Sequence, residues 1–233
     1  MNPDNLNPLI LSMDTAGHAC QVALADGADI ISHERKAMAR GHGEELVPMV
    51  ERVLAAVGRG YEDLDRIGVT IGPGSFTGLR VGLAAARGFS ATLNIDAVGI
   101  GSLAALAATD RMDSPAPQGQ AVALDARNSM VYGQLFEPDG EPISPPEAMA
   151  DIVFAALVRP GMRLSGTAQP AIAAHLENLS KPITLGRSVP VPSLEAIATL
   201  ALSADPKVKP SPLYLKEADA AVAKSSGLRA SMS

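Results

Sequence analysis

The segment Ile67 to Ser90, IGVTIGPGSFTGLRVGLAAARGFS, restricts the fold more than any other stretch of the chain. It opens on a short apolar run, Ile67 to Ile71, whose Val69, Thr70 and Ile71 are β-branched and read as a buried strand. A glycine-rich turn follows, Gly72-Pro73-Gly74-Ser75-Phe76-Thr77-Gly78, and then about four turns of alanine-rich helix. Strand, glycine loop and helix in this order aim backbone N–H groups and a helix N-terminus at one point, an arrangement that favours an anion. No standard phosphate signature fits, however. The P-loop requires Lys and then Ser or Thr after its last glycine, where this chain has Leu79-Arg80, and the dinucleotide fingerprint requires glycine where Thr77 stands. A phosphate cradle and a purely structural turn both remain open on these residues.

The helix after the loop carries Arg80, Ala84, Arg87 and Ala91 along one line at 3.6 residues per turn. Gly78, Gly82, Ala86 and Ser90 make a stripe of small residues, and Val81, Ala85 and Phe89 make an apolar one. So narrow a polar strip predicts burial on two sides, one against a sheet and one against a closely approaching helix of this chain or of a partner.

The chain has 233 residues, enough for one large domain or two ordinary lobes. Its hydrophobic content of 47% supplies a core, while 3% aromatics and no Trp leave few stacking platforms for bases. A net charge of -6 argues against an extended grip on nucleic acid. The lone Cys20 lies in the alternation His18, Cys20, Val22, Leu24 and reads as a small core residue. His18, His33, His42 and His175 include no i, i+4 pair, so no protein-held transition metal is expected. His42, just before a helix, reads as solvated or capping. The start lacks signal-peptide organisation and no apolar run is long enough to span a membrane, so a cytoplasmic location is expected.

In chain order, Leu9 to Thr15, Cys20 to Ala25 and Asp29 to Arg35 read as three consecutive antiparallel strands, with Asp26-Gly27 as the hairpin turn. A helix over about Gly43 to Val57 contains Pro48 and carries Leu46, Val50, Val53, Leu54 and Val57 on one face. After the glycine-loop segment come a strand at Ala97 to Ile100 and a helix at Leu103 to Ala108 with Ser102 as its N-cap. The polar, proline-rich Arg111 to Gln118 reads as the crossing to a second lobe. There Ala121 to Asp125 and Val131 to Phe136 form a hairpin. Pro146 introduces a helix over Glu147 to Val158, Met162 to Ser165 is a strand, and Pro170 to Leu179 and Leu194 to Ser203 are helices. The expected class is α/β with a first lobe at 1–110 and a smaller lobe at 111–217, whose last helix is free to pack back on the first. A tail at 218–233 is expected to be disordered. No internal repeat is legible.

Asp14-Thr15 ends the first strand and the Gly72 to Gly78 loop ends the fourth, so both face one crevice if those strands are neighbours. There Asp14 is suited to a hydrated Mg²⁺ and Thr15 to a phosphate. A plain polar turn is the simpler reading of Asp14-Thr15-Ala16-Gly17. Asp125 with Arg127 reads either as a substrate-binding pair or as a surface ion pair of a hairpin. No Gly-x-Ser-x-Gly nucleophile elbow is present.

The run Gly72-Pro73-Gly74-Ser75-Phe76-Thr77-Gly78-Leu79-Arg80-Val81-Gly82 resembles, residue for residue, the hallmark of the TsaB (YeaZ-like) proteins of bacterial tRNA threonylcarbamoyladenosine biosynthesis. Supporting matches are Asp14-Thr15, His42 with Leu46-Val47-Pro48, Ser102-Leu103, Asp125-Ala126-Arg127 and Pro212-Leu213-Tyr214-Leu215-Lys216. Two departures are Ala16, where the family commonly has Ser, and Lys216, where Arg is usual. The resemblance implies a two-lobed ribonuclease H-like (actin-like ATPase) fold with a first lobe β-β-β-α-β-α and a degenerate second lobe. It also implies a non-catalytic scaffold supporting the catalytic paralogue TsaD together with the ATPase TsaE, reaching tRNA only indirectly.

Under this resemblance no cofactor is firmly bound, and ATP or ADP with Mg enters only within the complex. Asp14, Thr15, Gly72, Gly74, Ser75, Thr77 and Gly78 would be a vestigial nucleotide site. The partner face, for TsaD or for a homodimer, is expected at Leu46, Val50 and Val53 on one helix and at Leu79, Gly82, Leu83, Ala86 and Arg87 on the next. A kinase-like enzyme using the Asp14 and Gly72 loops is the alternative, and a glycoprotein peptidase would lack both metal ligands and nucleophile.

Overall fold

The computed structural model describes residues 7–215. Lys216 and the tail expected at 218–233 lie outside the described residues. Three strands, β1 (Leu9–Asp14), β2 (Ala19–Asp26) and β3 (Asp29–Ala37), open the chain as an antiparallel meander. They are followed by α1 (His42–Ala55), β4 (Arg66–Gly72), α2 (Phe76–Leu93), β5 (Asp96–Gly101) and α3 (Ser102–Asp113). The sheet order is β3-β2-β1-β4-β5, with β4 parallel to β1 and β5 parallel to β4. The run Leu9-Ile10-Leu11 is apolar at every position because both faces of the sheet are covered. Leu9, Leu11, Met13, Val22, Leu24, Ile67 and Val69 pack in one core with the inner faces of α1 and α2. Ile10, Ala23, Ala25, Val98 and Ile100 belong to a second core on the opposite face.

The two-sided burial expected of α2 is met by this sheet and by α1 of the same chain. Leu46, Met49, Val50 and Val53 share the core with Leu83 and Ala86, and a Cβ on Gly43 would lie 3.8 Å from Val81. The helix over residues 103–108 extends to Asp113, so the crossing to the second lobe begins at Ser114 rather than Arg111. Gly101, not Ser102, is its N-cap; Ser102 is the first helical residue, and its hydroxyl is buried without a partner.

The second lobe contains β6 (Gln120–Asp125), β7 (Met130–Phe136), β8 (Glu147–Ala150), α4 (Asp151–Leu157), β9 (Arg163–Ser165), α5 (Gln169–Asn178), β10 (Thr184–Leu185) and α6 (Leu194–Ser203). The helix expected from Glu147 is a correction. Its first four residues form the edge strand β8, paired with β7 from Met130 to Gly133, and the helix starts only at Asp151. The ladder to β7 supplies hydrogen bonds that the helical reading placed inside the segment.

The sheet order is β8-β7-β6-β9-β10, with β7 antiparallel and β9 parallel to β6. This repeats the first sheet strand for strand, so both lobes run β-β-β-α-β-α-β-α. The duplication escaped the sequence because it lies in topology and is not legible as repeated residues.

The third helix of each unit sits against the other's sheet. Leu103, Leu106 and Ala107 of α3 share a core with Val122 and Phe136 of the second sheet. Leu194, Ile197, Ala198 and Ala201 of α6 cover the Ile10, Val98 and Ile100 face of the first. Arg66 holds the end of α6 by donating to the carbonyls of Ala201 and Leu202, each at 2.9 Å. The chain then crosses to the α2 side, where the Leu213 N–H donates to the Ile71 carbonyl and Arg87 donates to the Pro210 carbonyl. Leu213-Tyr214-Leu215 forms no strand.

Candidate functional site

β1 and β4 are neighbours, so the Asp14-Thr15 turn and the glycine loop do meet beyond their ends. What they meet is each other. The Ser75 N–H donates to the Ala16 carbonyl at 2.7 Å, and the Thr15 hydroxyl donates to the Gly78 carbonyl at 2.7 Å. The glycines are explained by this contact. A Cβ on Gly78 would lie 1.9 Å from the Thr15 carbonyl oxygen, one on Gly74 2.4 Å from that of Ala16, and one on Gly82 2.6 Å from the Thr15 hydroxyl. Gly72, at φ 110°, has the Leu213 carbonyl 2.9 Å from where its Cβ would be. Ser75 caps α2 by accepting the Gly78 N–H, and Thr77 is exposed on the first turn.

Asp14 is 1% exposed, and its carboxylate accepts from the Thr70 hydroxyl at 2.6 Å, the Ala16 N–H at 2.9 Å and the Gln21 amide at 3.0 Å. Burial drives its pKa above the ordinary carboxylate value, against the pull of these hydrogen bonds. Gln21 also donates to the Pro192 carbonyl, and Gly17 lies against Pro190 and Val191. Residues 186 to 193 thus run from the end of β9, where Arg187 accepts the Gly166 N–H, to the end of β1. The expectation that Asp14 and Thr15 point into an open ligand crevice is therefore corrected. Both side chains are engaged within the chain, and the crevice is lined by chain packed on chain.

Among the described residues no group of three or more His, Cys, Asp or Glu side chains could hold a metal. His42 is buried and its Nε2 lacks a partner, in place of the solvated or capping role expected of it. Cys20 is fully buried, and burial, with the nearby carboxylates, pushes its thiol up to about 11. Asp125 and Arg127 form no ion pair. The Asp125 carboxylate instead accepts the Arg127 backbone N–H at 2.9 Å.

The partner-face residues also need correction. Leu46, Val50, Val53, Leu79, Leu83 and Ala86 are at most 3% exposed, and Gly82 is buried with them, because the apolar stripes of both helices face their own sheet. The exposed residues of α1 and α2 include Glu44, Val47 and Glu51 on α1 and Arg80, Ala84 and Arg87 on α2. Val47 is 41% exposed. Arg80 lies 3.7 Å over the ring of Phe76 and its Nε donates to the Tyr214 hydroxyl, so two exposed aromatics stand beside it. The sequence signal for this face was the Arg80, Ala84, Arg87 line, which marked the solvent side of α2.

The model of the family described as TsaD: tRNA N6-adenosine threonylcarbamoyltransferase matches residues 30–192. The Escherichia coli tRNA threonylcarbamoyladenosine biosynthesis protein TsaB is 32% identical over 130 residues, covering 56% of this chain and 55% of that protein. An uncharacterized Mycobacterium tuberculosis protein is 33% identical over 167 residues, 71% of this chain and 74% of that one. The chain thus spans about half the length of the TsaB relatives from Escherichia coli and Haemophilus influenzae. A crystal structure of a Pseudomonas aeruginosa protein with similarity to peptidase YEAZ superposes with a TM-score of 0.73 at 24% identity, covering 90% of this chain and all of that one. The fold is accordingly that of the Pseudomonas aeruginosa protein, two lobes that each carry a five-stranded mixed sheet.

Proposed function

Because the chain belongs to the TsaD-type tRNA N6-adenosine threonylcarbamoyltransferase family, and within it to the TsaB (YeaZ-like) proteins, we propose that it is a non-catalytic subunit of threonylcarbamoyladenosine formation. It acts in the cytoplasm by binding a TsaD-like catalytic paralogue, which works with a TsaE-like ATPase. The observation that carries this reading is the self-filled crevice. The Thr15 hydroxyl donates into the glycine loop and the Asp14 carboxylate is taken up by Thr70, Ala16 and Gln21, which leaves them poorly suited to a phosphate or a metal. Any ATP or ADP with Mg is then held by the assembled complex and not by this chain.

The contact surface is the outward face of α1 and α2, where Glu44 and Glu51 on one helix and Arg80 and Arg87 on the other flank Val47 and Ala84. The acidic and basic helices side by side suit a related two-helix face, in the paralogue or in a second copy, with the two pairings excluding each other.

The test is titration of the purified protein with its TsaD-like paralogue, using Ala84→Arg. Ala84 is exposed, so the variant should keep its melting temperature while losing at least tenfold in affinity, a change of about 1.4 kcal/mol. It should also fail to restore the tRNA modification in cells depleted of the protein. Wild-type affinity in Ala84→Arg would exclude this face as the contact. ATP with Mg²⁺ should leave the melting temperature of the isolated protein unchanged. A bound nucleotide at 100 times its Kd would add about 2.7 kcal/mol and point instead to the kinase-like alternative.

A further inference from the structure

The β6–β7 connection combines backbone strain with an unengaged cation. Arg127, Asn128 and Ser129 follow one another at φ 64°, 55° and 55°. Each non-glycine residue in the left-handed region raises the free energy of the fold. Among the described residues the other non-glycine residues in that region, Asn94 and Ser180, stand singly just after helices. This loop is nevertheless held at every side. The Ala126 N–H donates to the Met130 carbonyl and the Met130 N–H to that of Arg127. The Asp151 N–H donates to the Ser129 carbonyl, the Arg127 N–H to the Asp125 carboxylate, and the Asp125 N–H to the Thr167 hydroxyl. Within this frame the Arg127 side chain is exposed, and its guanidinium makes no hydrogen bond or ion pair among the described residues.

We propose that the β6–β7 loop is a preformed contact that presents the Arg127 guanidinium to a carboxylate on the protein partner, a second point of attachment in the other lobe from α1 and α2. Its backbone is fixed before binding, so little further order is lost when the planar fork meets a planar carboxylate. Asp125 and Asp151 flank the loop, and the chain carries a net charge of -6, so a polyanion such as a tRNA backbone is disfavoured there while a single paired carboxylate is not.

This inference rests on the proposed partnership with the TsaD-like paralogue. The experiment titrates that paralogue with the full chain as wild type, Arg127→Ala, Arg127→Lys and the double variant Asn128→Gly with Ser129→Gly. Arg127→Ala should lose about tenfold or more in affinity at an unchanged melting temperature, and Arg127→Lys should recover only part of it. The double glycine variant should bind more weakly without melting earlier, because relaxing the loop relieves strain and releases the guanidinium together. Wild-type affinity in Arg127→Ala overturns the proposal. So does a variant that binds the paralogue normally yet fails to support tRNA modification, since that assigns Arg127 to nucleic acid. Absence of binding by the wild type itself would instead overturn the proposed function, and this inference with it.

Discussion

Gly78 shows how one residue can look functional and prove structural. At the N-terminus of α2 it suggested an anion cradle, yet its missing side chain makes room for the Thr15 carbonyl, which a Cβ would approach to 1.9 Å. Both groups belong to the backbone, so relief requires moving β1 or α2. Gly78→Ala should therefore cost about 3 kcal/mol or more and lower the melting temperature by roughly 10 °C, read by thermal unfolding. Asp14 offers a second measurement. Its folded pKa is raised by burial, so the native state keeps a proton that the unfolded chain releases above its ordinary value of 3.8. Over that interval the native state binds more protons, and stability falls as pH rises toward the folded value. Urea unfolding against pH should show wild type losing stability relative to Asp14→Asn across this window. Parallel profiles would mean that Asp14 is not titrating as placed.

At the scale of elements, α2 was legible in position but not in orientation. Its stripe of small residues marks close approach, which the sequence could assign equally to a partner or to its own sheet. Contacts with Thr15, Val69 and the α1 core assign it to the latter. An arginine at Ala86, which is fully buried, should therefore unfold the protein instead of selectively breaking an interface, while the same change two residues earlier at Ala84 should leave it folded. Comparing the melting curves of the two variants separates the buried face of the helix from the outward one. The strand β8 was misread for the same physical reason: Pro146 and acidic Glu147 resemble a helix start, and only pairing with β7 overrides that local preference.

For the whole molecule, the exchange of α3 and α6 makes the two lobes depend on each other. Without α6 the first sheet exposes Ile10, Val98 and Ile100, whose burial is worth about 5–9 kcal/mol, close to the entire net stability of a typical domain. A fragment spanning 1–110 should fail to fold, and the full chain should unfold in one transition seen alike by far-ultraviolet circular dichroism and by calorimetry. Two separate transitions would show that α6 is dispensable to the first lobe. The chain changes sheets between the end of α3 at Asp113 and the start of β6 at Gln120, and that division is not expected to separate folding units.

By itself the sequence determined the order of the first eight elements, the sharp glycine turn after β4, the buried state of Cys20 and the family resemblance, because these depend on periodicity, turn chemistry and a long specific run of residues. Tertiary structure alone decided that Asp14 and Thr15 are satisfied from within, that Leu46, Val50 and Ala86 face inward, that the lobes repeat one topology, and that Arg127 stands unengaged on a strained loop. The reason is that a residue pattern records which side chains prefer burial or a turn. Which group lies across from each depends on contacts between residues far apart in the chain.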